Sequence, residues 1–210
     1  MATLYNPSIV RNGLALCLDA ANSRSYPGTG NTWTDLSGNS RNGTLTLGPT
    51  YSISNNGSIV FDGTDDYIAP SGIADSFWQG NWTASFWVNF DTLSTLNNGA
   101  DDKTLVHHGS AIANQGLHLS QRNTRMHFGL YGDDLQGLNL LTTGSWYNIV
   151  FTLNNTTRLK EIYLNGVLDI SAVGVGAYFG SGANTRICGV VLGFGLRFDG
   201  FMSSCIFYNS

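Results

Sequence analysis

The chain has 210 residues, 42% of them hydrophobic and 11% charged, with a formal net charge of −4. That suits a single all-β sandwich with a substantial core, and the charged share is well below the usual quarter. Its two lysines, Lys103 and Lys160, form no basic cluster, so a nucleic-acid partner is not expected.

Residues 1–13 read as an extended polar lead. They lack the basic and apolar regions of a secretory signal, so synthesis in a cytoplasm without a signal peptide is expected. Leu14 to Leu18 is the first strand, with Leu14, Leu16 and Leu18 on one face. Asp19 to Gly43 is a long loop punctuated by Pro27-Gly28, Gly30 and Ser37-Gly38-Asn39; Trp33 and Leu36 are expected to pin it down. Ser58 to Phe61 reads as a strand, Asp62-Gly63 begins a turn into Tyr67-Ile68, and Ile73 to Trp78 fits one helical turn. In Trp82 to Phe90, Ala84, Phe86, Val88 and Phe90 face one way, and Thr83, Ser85, Trp87 and Asn89 the other. Short strands follow at 104–108, 117–120 and 125–131.

Trp146 to Asp169 is the clearest stretch. Tyr147, Ile149, Phe151 and Leu153 recur with period two, Asn154 to Arg158 break the pattern, and Leu159 to Leu164 resume it. Asn165-Gly166 is a hairpin signal, since both residues tolerate the positive φ of a type I′ turn; the return strand places Tyr163 opposite Leu168. Segments 186–194 and 203–208 complete the set. No long helix-period segment, internal repeat or bilayer-spanning apolar run of ~20 residues is present, so no membrane partner is expected. The expected fold is an all-β, antiparallel two-sheet sandwich with very little helix, occupying residues 14–210 as one domain. Cys17, Cys188 and Cys205 sit in apolar strand-like runs and are expected as buried free thiols.

Trp146, Tyr147 and Ile149, followed by Ile162, Tyr163, Leu164, Asn165 and Gly166, resemble the core pattern of the laminin-G and pentraxin jelly rolls. That pattern reads W-[HY]-x-[IV], a gap, then [IV]-[YF]-[VL]-[ND]-G. The stretch from Gly13 to Leu45, then Gly57 to Ile68, resembles the concanavalin A-like version found in structural proteins of tailed phages and other large viruses, and in bacterial surface proteins. The opening YNPSIVRNGL looks especially like the phage form, and Gly200, Phe201, Ile206, Phe207, Tyr208 and Asn209 match the ends of the family's last strand. The resemblance covers Tyr5 to Asn209. It implies a virion-surface protein, a capsid decoration or tail-fibre component, oligomeric and in contact with other virion proteins. The competing class is a lectin-like adhesin or receptor-binding module for cell-surface glycans.

Catalysis is not expected. Jelly-roll glucanases place two glutamates on one strand, and Glu161 is the only glutamate here. Asp62, Asp65 and Asp66 fall in a turn, where aspartates ordinarily cap amides. A Ser-His-Asp reading finds no GxSxG. His108, His118 and His127 could meet on neighbouring strands as a metal cluster, against an ordinary reading of scattered strand-face histidines. By resemblance to the pentraxins, Asp101 and Asp102 stand where part of a calcium site would be, and only Asp199 is offered from the later loop. One calcium ion is therefore the sole cofactor considered. For glycans the expected residues are Trp78, Trp82, Trp87 and Tyr131 as stacking platforms, with Asp133 and Asp134 beside them.

Overall fold

The computed structural model of the chain describes residues 9–182, 185–190 and 196–209. In chain order the first strands are β1 (Leu14–Asp19), β2 (Thr32–Trp33), β3 (Gly43–Thr46), β4 (Thr50–Ser52), β5 (Ser58–Asp62), β6 (Tyr67–Pro70), β7 (Trp82–Phe90) and β8 (Lys103–Gly109). They are followed by β9 (Gly116–Arg122), β10 (Arg125–Gly129), β11 (Leu135–Gln136), β12 (Trp146–Asn154), β13 (Leu159–Leu164), β14 (Val167–Val173), β15 (Arg186–Ile187) and β16 (Asp199–Asn209). One helical turn, α1 (Asp75–Trp78), precedes β7. More strands form than the dozen or so legible in the sequence, because pairs as short as β2 and β11 carry no periodicity of their own. The expected strand over 186–194 is described only as the short β15; residues 191–194 of it lie outside the described residues.

The strands make two eight-stranded antiparallel sheets. One runs β14-β13-β12-β7-β16-β5-β4, with β1 also on β16; the other runs β11-β10-β9-β8-β15-β6-β3-β2. The sandwich is the expected jelly roll. The β12–β14 meander has the register read from the sequence, with Tyr163 opposite Leu168. Asn165 (φ 52°) and Gly166 (φ 79°) both occupy the left-handed region that the tight turn demands.

Inward faces of the two sheets meet in an aromatic core. Phe128 of the second sheet packs on Trp82 and Phe151 of the first, at centroid distances of 5.5 and 5.8 Å. Helical turn α1 plugs one end: Trp78 lies 5.1 Å from Trp82 and 5.2 Å from Phe207, both edge-on. Its indole N–H donates to Thr185 Oγ1 at 2.8 Å, and Trp82 Nε1 donates to the Trp78 carbonyl. Trp78 and Trp82 are completely buried. That corrects their expected role as sugar platforms: neither has a free ring face.

The long 19–43 loop is held by Trp33, fully buried as expected, and by Asp35, which the sequence did not single out. Asp35 accepts from the backbone N–H of Cys17, Ser37 and Arg41, tying the loop to β1. All three cysteines are buried and unpaired. Among the described residues, no helix is long and apolar enough to cross a membrane.

A buried ion pair joins the two sheets. Lys160 of β13 points inward and is almost fully buried, 6.0 Å from the Phe128 ring centroid. Its Nζ donates to Asp133 Oδ1 at 2.7 Å and to the Asp133 carbonyl at 2.6 Å. Asp133 Oδ2 accepts from Val175 N, so the carboxylate is spent on structure. Asp133 is therefore removed from the glycan-binding set. Asp133→Asn leaves a buried ammonium without its counter-charge, and the expected cost is about 3 kcal/mol of unfolding free energy. Urea denaturation of the two proteins measures this; an unchanged midpoint would contradict the pairing.

Candidate functional site

Alternation builds the site. On β9, Leu117 and Leu119 turn into the core, so His118, Ser120 and Arg122 take the outer face. On β10, Met126 and Phe128 are inward and His127 is outward. A bulge between Thr104 and Val106 of β8 lets Leu105 and Val106 both be buried and sets His107 opposite His118. Three strands thereby gather imidazoles, hydroxyls and a guanidinium on one face.

This face floors an open cleft of about 540 Å³. Its walls include the 98–100 loop and the Tyr131-Gly132 turn, with Thr104, His107, His118, Arg122, Asp102 and Asp134 inside. Two glycines make room for rings. A Cβ at Gly129 would overlap the His118 imidazole, and one at Gly116 would overlap Tyr131. Tyr131 adopts a left-handed backbone (φ 52°) and meets His118 edge-on at 4.9 Å.

Arg122 is the electrostatic centre. Its Nε and Nη2 donate to Asp102 at 2.7–3.1 Å, and Ser120 Oγ donates to the same carboxylate at 3.0 Å. Its Nη1 lies 3.0 Å from His127 Nε2 and 3.7 Å from Asp134 Oδ2. Burial pushes the His118 pKa down to about 3, with neighbouring His127 adding to the effect. Burial, then His108 and Arg186, lower His107 to about 4. Burial alone would raise Asp134; its hydrogen bond to His127 and the charges of His118 and His127 outweigh that and hold it below the ordinary carboxylate range.

Of the residues read from the sequence, Tyr131, Asp134 and Asp102 converge on this cleft. Asp101 does not: it is half-buried outside the cleft and pairs with Lys103 at 2.8 Å. With Asp102 turned onto Arg122, the two do not form the joint calcium-ligand pair that the resemblance implied. Trp87 is 41% exposed on the other sheet, its ring parallel to Trp146 at 6.3 Å, far from the cleft in the fold. His118 and His127 do meet, but His108 is inward, beside Trp78 and Thr185. Asp62 and Asp66 accept backbone N–H groups, as turn aspartates were expected to. Arg122 and Thr104 were missed. The polar alternation His118-Ser120-Arg122 between leucines was the available signal.

A family model described as the concanavalin A-like lectin/glucanases superfamily, Laminin_G_3, matches residues 62–210. The chain belongs to this superfamily. No curated protein sequence matches it. Among solved structures, this superfamily member is similar to domain 4 of AbnA, an extracellular arabinanase from Geobacillus stearothermophilus, in complex with arabinotriose. The TM-score is 0.68 at 19% identity, covering 94% of this chain and 92% of that domain. It is similar to Trypanosoma rangeli sialidase (TM-score 0.66, 16% identity), covering 94% of this chain but 30% of the sialidase. It also resembles the botulinum neurotoxin serotype D binding domain (TM-score 0.68, 15% identity), covering 96% of this chain and 49% of that one. At these identities the likeness is one of fold.

The buried imidazoles make stability depend on pH. Between the ordinary histidine pKa near 6.5 and about 4, the unfolded chain binds a proton at His107 that the folded chain does not. Stability therefore falls as pH falls through that window and levels off below it. Between about pH 7 and about pH 5 the loss from His107 alone is on the order of 2 kcal/mol. Urea unfolding at the two pH values tests this, and His107→Leu should show a shallower dependence.

Proposed function

We propose that the chain is a non-catalytic carbohydrate-binding module whose sugar lies in the cleft over β8, β9 and the turn that follows β10. The observation that carries this reading is the cleft itself, with half-buried Tyr131 as a ring wall and Thr104, His118, Arg122 and Asp134 converging beside it. A ring that can face sugar C–H groups, set among a few directed hydrogen-bonding groups, suits sugar recognition. The fold it shares with the arabinotriose-bound domain, over nearly the whole of both chains, supports the same reading.

Charge narrows the ligand. The cleft holds Asp102 and Asp134 against Arg122, and its buried histidines are lowered in pKa. With one more carboxylate than guanidinium, it favours a neutral glycan over an acidic one. The same groups argue against hydrolysis, which needs one carboxyl as proton donor. Asp134 is held ionised, and the Asp102 oxygens are taken by Arg122 and Ser120.

The finer setting we propose is a virion surface, as capsid decoration or tail fibre, with virion proteins and further copies of the chain as partners. Its support is the phage-like resemblance and the low charge of 11%. Of the lead that would dock on a particle, residues 1–8 lie outside the described residues.

A glycan array followed by titration calorimetry tests the module. Tyr131→Ala, checked for folding by its melting curve, should weaken binding about tenfold, the equivalent of ~1.4 kcal/mol. Removal of residues 1–11 should leave glycan affinity unchanged. Full affinity in Tyr131→Ala, or no neutral glycan retained by the native chain, refutes the reading.

A further inference from the structure

Two residues that line the cleft, His118 and Asp134, meet a neighbour, His127, in an arrangement that stands whether or not a sugar binds above it. His118 and His127, on adjacent strands, have ring centroids 5.1 Å apart and planes inclined by 27°. Asp134, from the turn after β10, brings Oδ2 to 3.5 Å from His127 Nε2. One donor atom from each of the three lies within 4.8 Å of the other two. We propose that His118, His127 and Asp134 form a binding site for a zinc-type divalent transition metal ion.

The donor set decides the class of ion. Two imidazole nitrogens and one carboxylate oxygen suit zinc, cobalt, nickel or copper; calcium and magnesium demand oxygen donors. Donors around one tetrahedral zinc stand ~3.3 Å apart, given bond lengths of about 2.0–2.1 Å. Donors within 4.8 Å of one another therefore need to close by up to ~1.5 Å through side-chain rotation.

The rings are not tied down through their other nitrogens. Among the described residues, the buried Nδ1 atoms of His118 and His127 have no hydrogen-bond partner, nor does either ring nitrogen of His107 in the same cleft. No protein partner at Nδ1 therefore holds the His118 or His127 ring against turning toward an ion. Arg122 is the opposing charge nearby. Its Nη1 faces both His127 and Asp134, and its Nε and Nη2 hold Asp102, so an incoming cation enters only as the whole planar guanidinium swings away from the two ligands. Three donors also leave open coordination positions toward the cleft, in the manner of an accessible rather than a closed structural site.

The test is to strip the native chain with chelator and titrate it with Zn²⁺ and with Co²⁺, and no sugar present. The expected result is one ion per chain, a visible d–d band for Co²⁺, and a melting temperature that rises with Zn²⁺ but not with Ca²⁺. His118→Gln with His127→Gln should lose the band and weaken Zn²⁺ binding roughly a hundredfold. Asp134→Asn is a milder second variant that should weaken it in the same direction. No uptake by the native chain, a response to Ca²⁺ alone, or equal uptake by the double variant overturns the site. The last outcome would move the ion elsewhere, for instance to the Asp62, Asp65 and Asp66 turn.

Discussion

The sandwich depends on the phase of its last strand. β16 pairs along its length with β7 on one side, and with β5 and then β1 on the other. It therefore joins both ends of the described chain to the middle of one sheet. Its side chains could not serve that position without an irregularity between Met202 and Ser204. Met202 opposes Val88 on the inner face, and the extra residue puts Cys205, rather than Ser204, opposite Phe86. A strict two-residue period would carry Cys205 and Phe207 outward. Phe207 would then leave Phe77, Trp78 and Phe86, and the aromatic plug at that end of the core would lose its centre.

The same device shapes the cleft. The bulge in β8 lets two consecutive apolar residues enter the core and hands His107 to the outer face, across from His118. Core packing fixes the inward residues of β9 and β10, and the polar residues between them have only the cleft side to occupy. The site is thus the reverse side of a packing solution, given depth by the 98–100 loop and the Tyr131 turn.

This explains what the sequence could and could not disclose. Local alternation and turn chemistry were readable: the β12–β14 meander, its Asn-Gly turn and the Tyr163–Leu168 pairing depend on residues within one short stretch. The role of Trp78 depends on Thr185, 107 positions away, so no spacing could reveal its burial. Adjacent aspartates misled for a simpler reason. Neighbours on extended or turning backbone point in different directions, and each pair is divided here. Asp102 turns onto Arg122 while Asp101 stays outside the cleft; Asp133 turns onto Lys160 while Asp134 enters the cleft. Which member serves structure and which serves a ligand is set by partners on other strands.

Two buried ionic groups in one small sandwich then invite comparison. Lys160 and Asp133 are closed on themselves: every donor and acceptor described for the pair has a protein partner, so it reads as architecture. The cleft cluster is unfinished by that standard. Arg122 and Asp102 satisfy each other, yet the imidazoles around them leave four ring nitrogens unpartnered among the described residues. An unsatisfied buried polar atom costs on the order of 1–3 kcal/mol, and apolar side chains at His107, His118 and His127 would avoid that cost. A face selected for stability alone would be built like Lys160 and Asp133. One that keeps unpartnered imidazoles at the bottom of an open cleft is arranged for something that enters it.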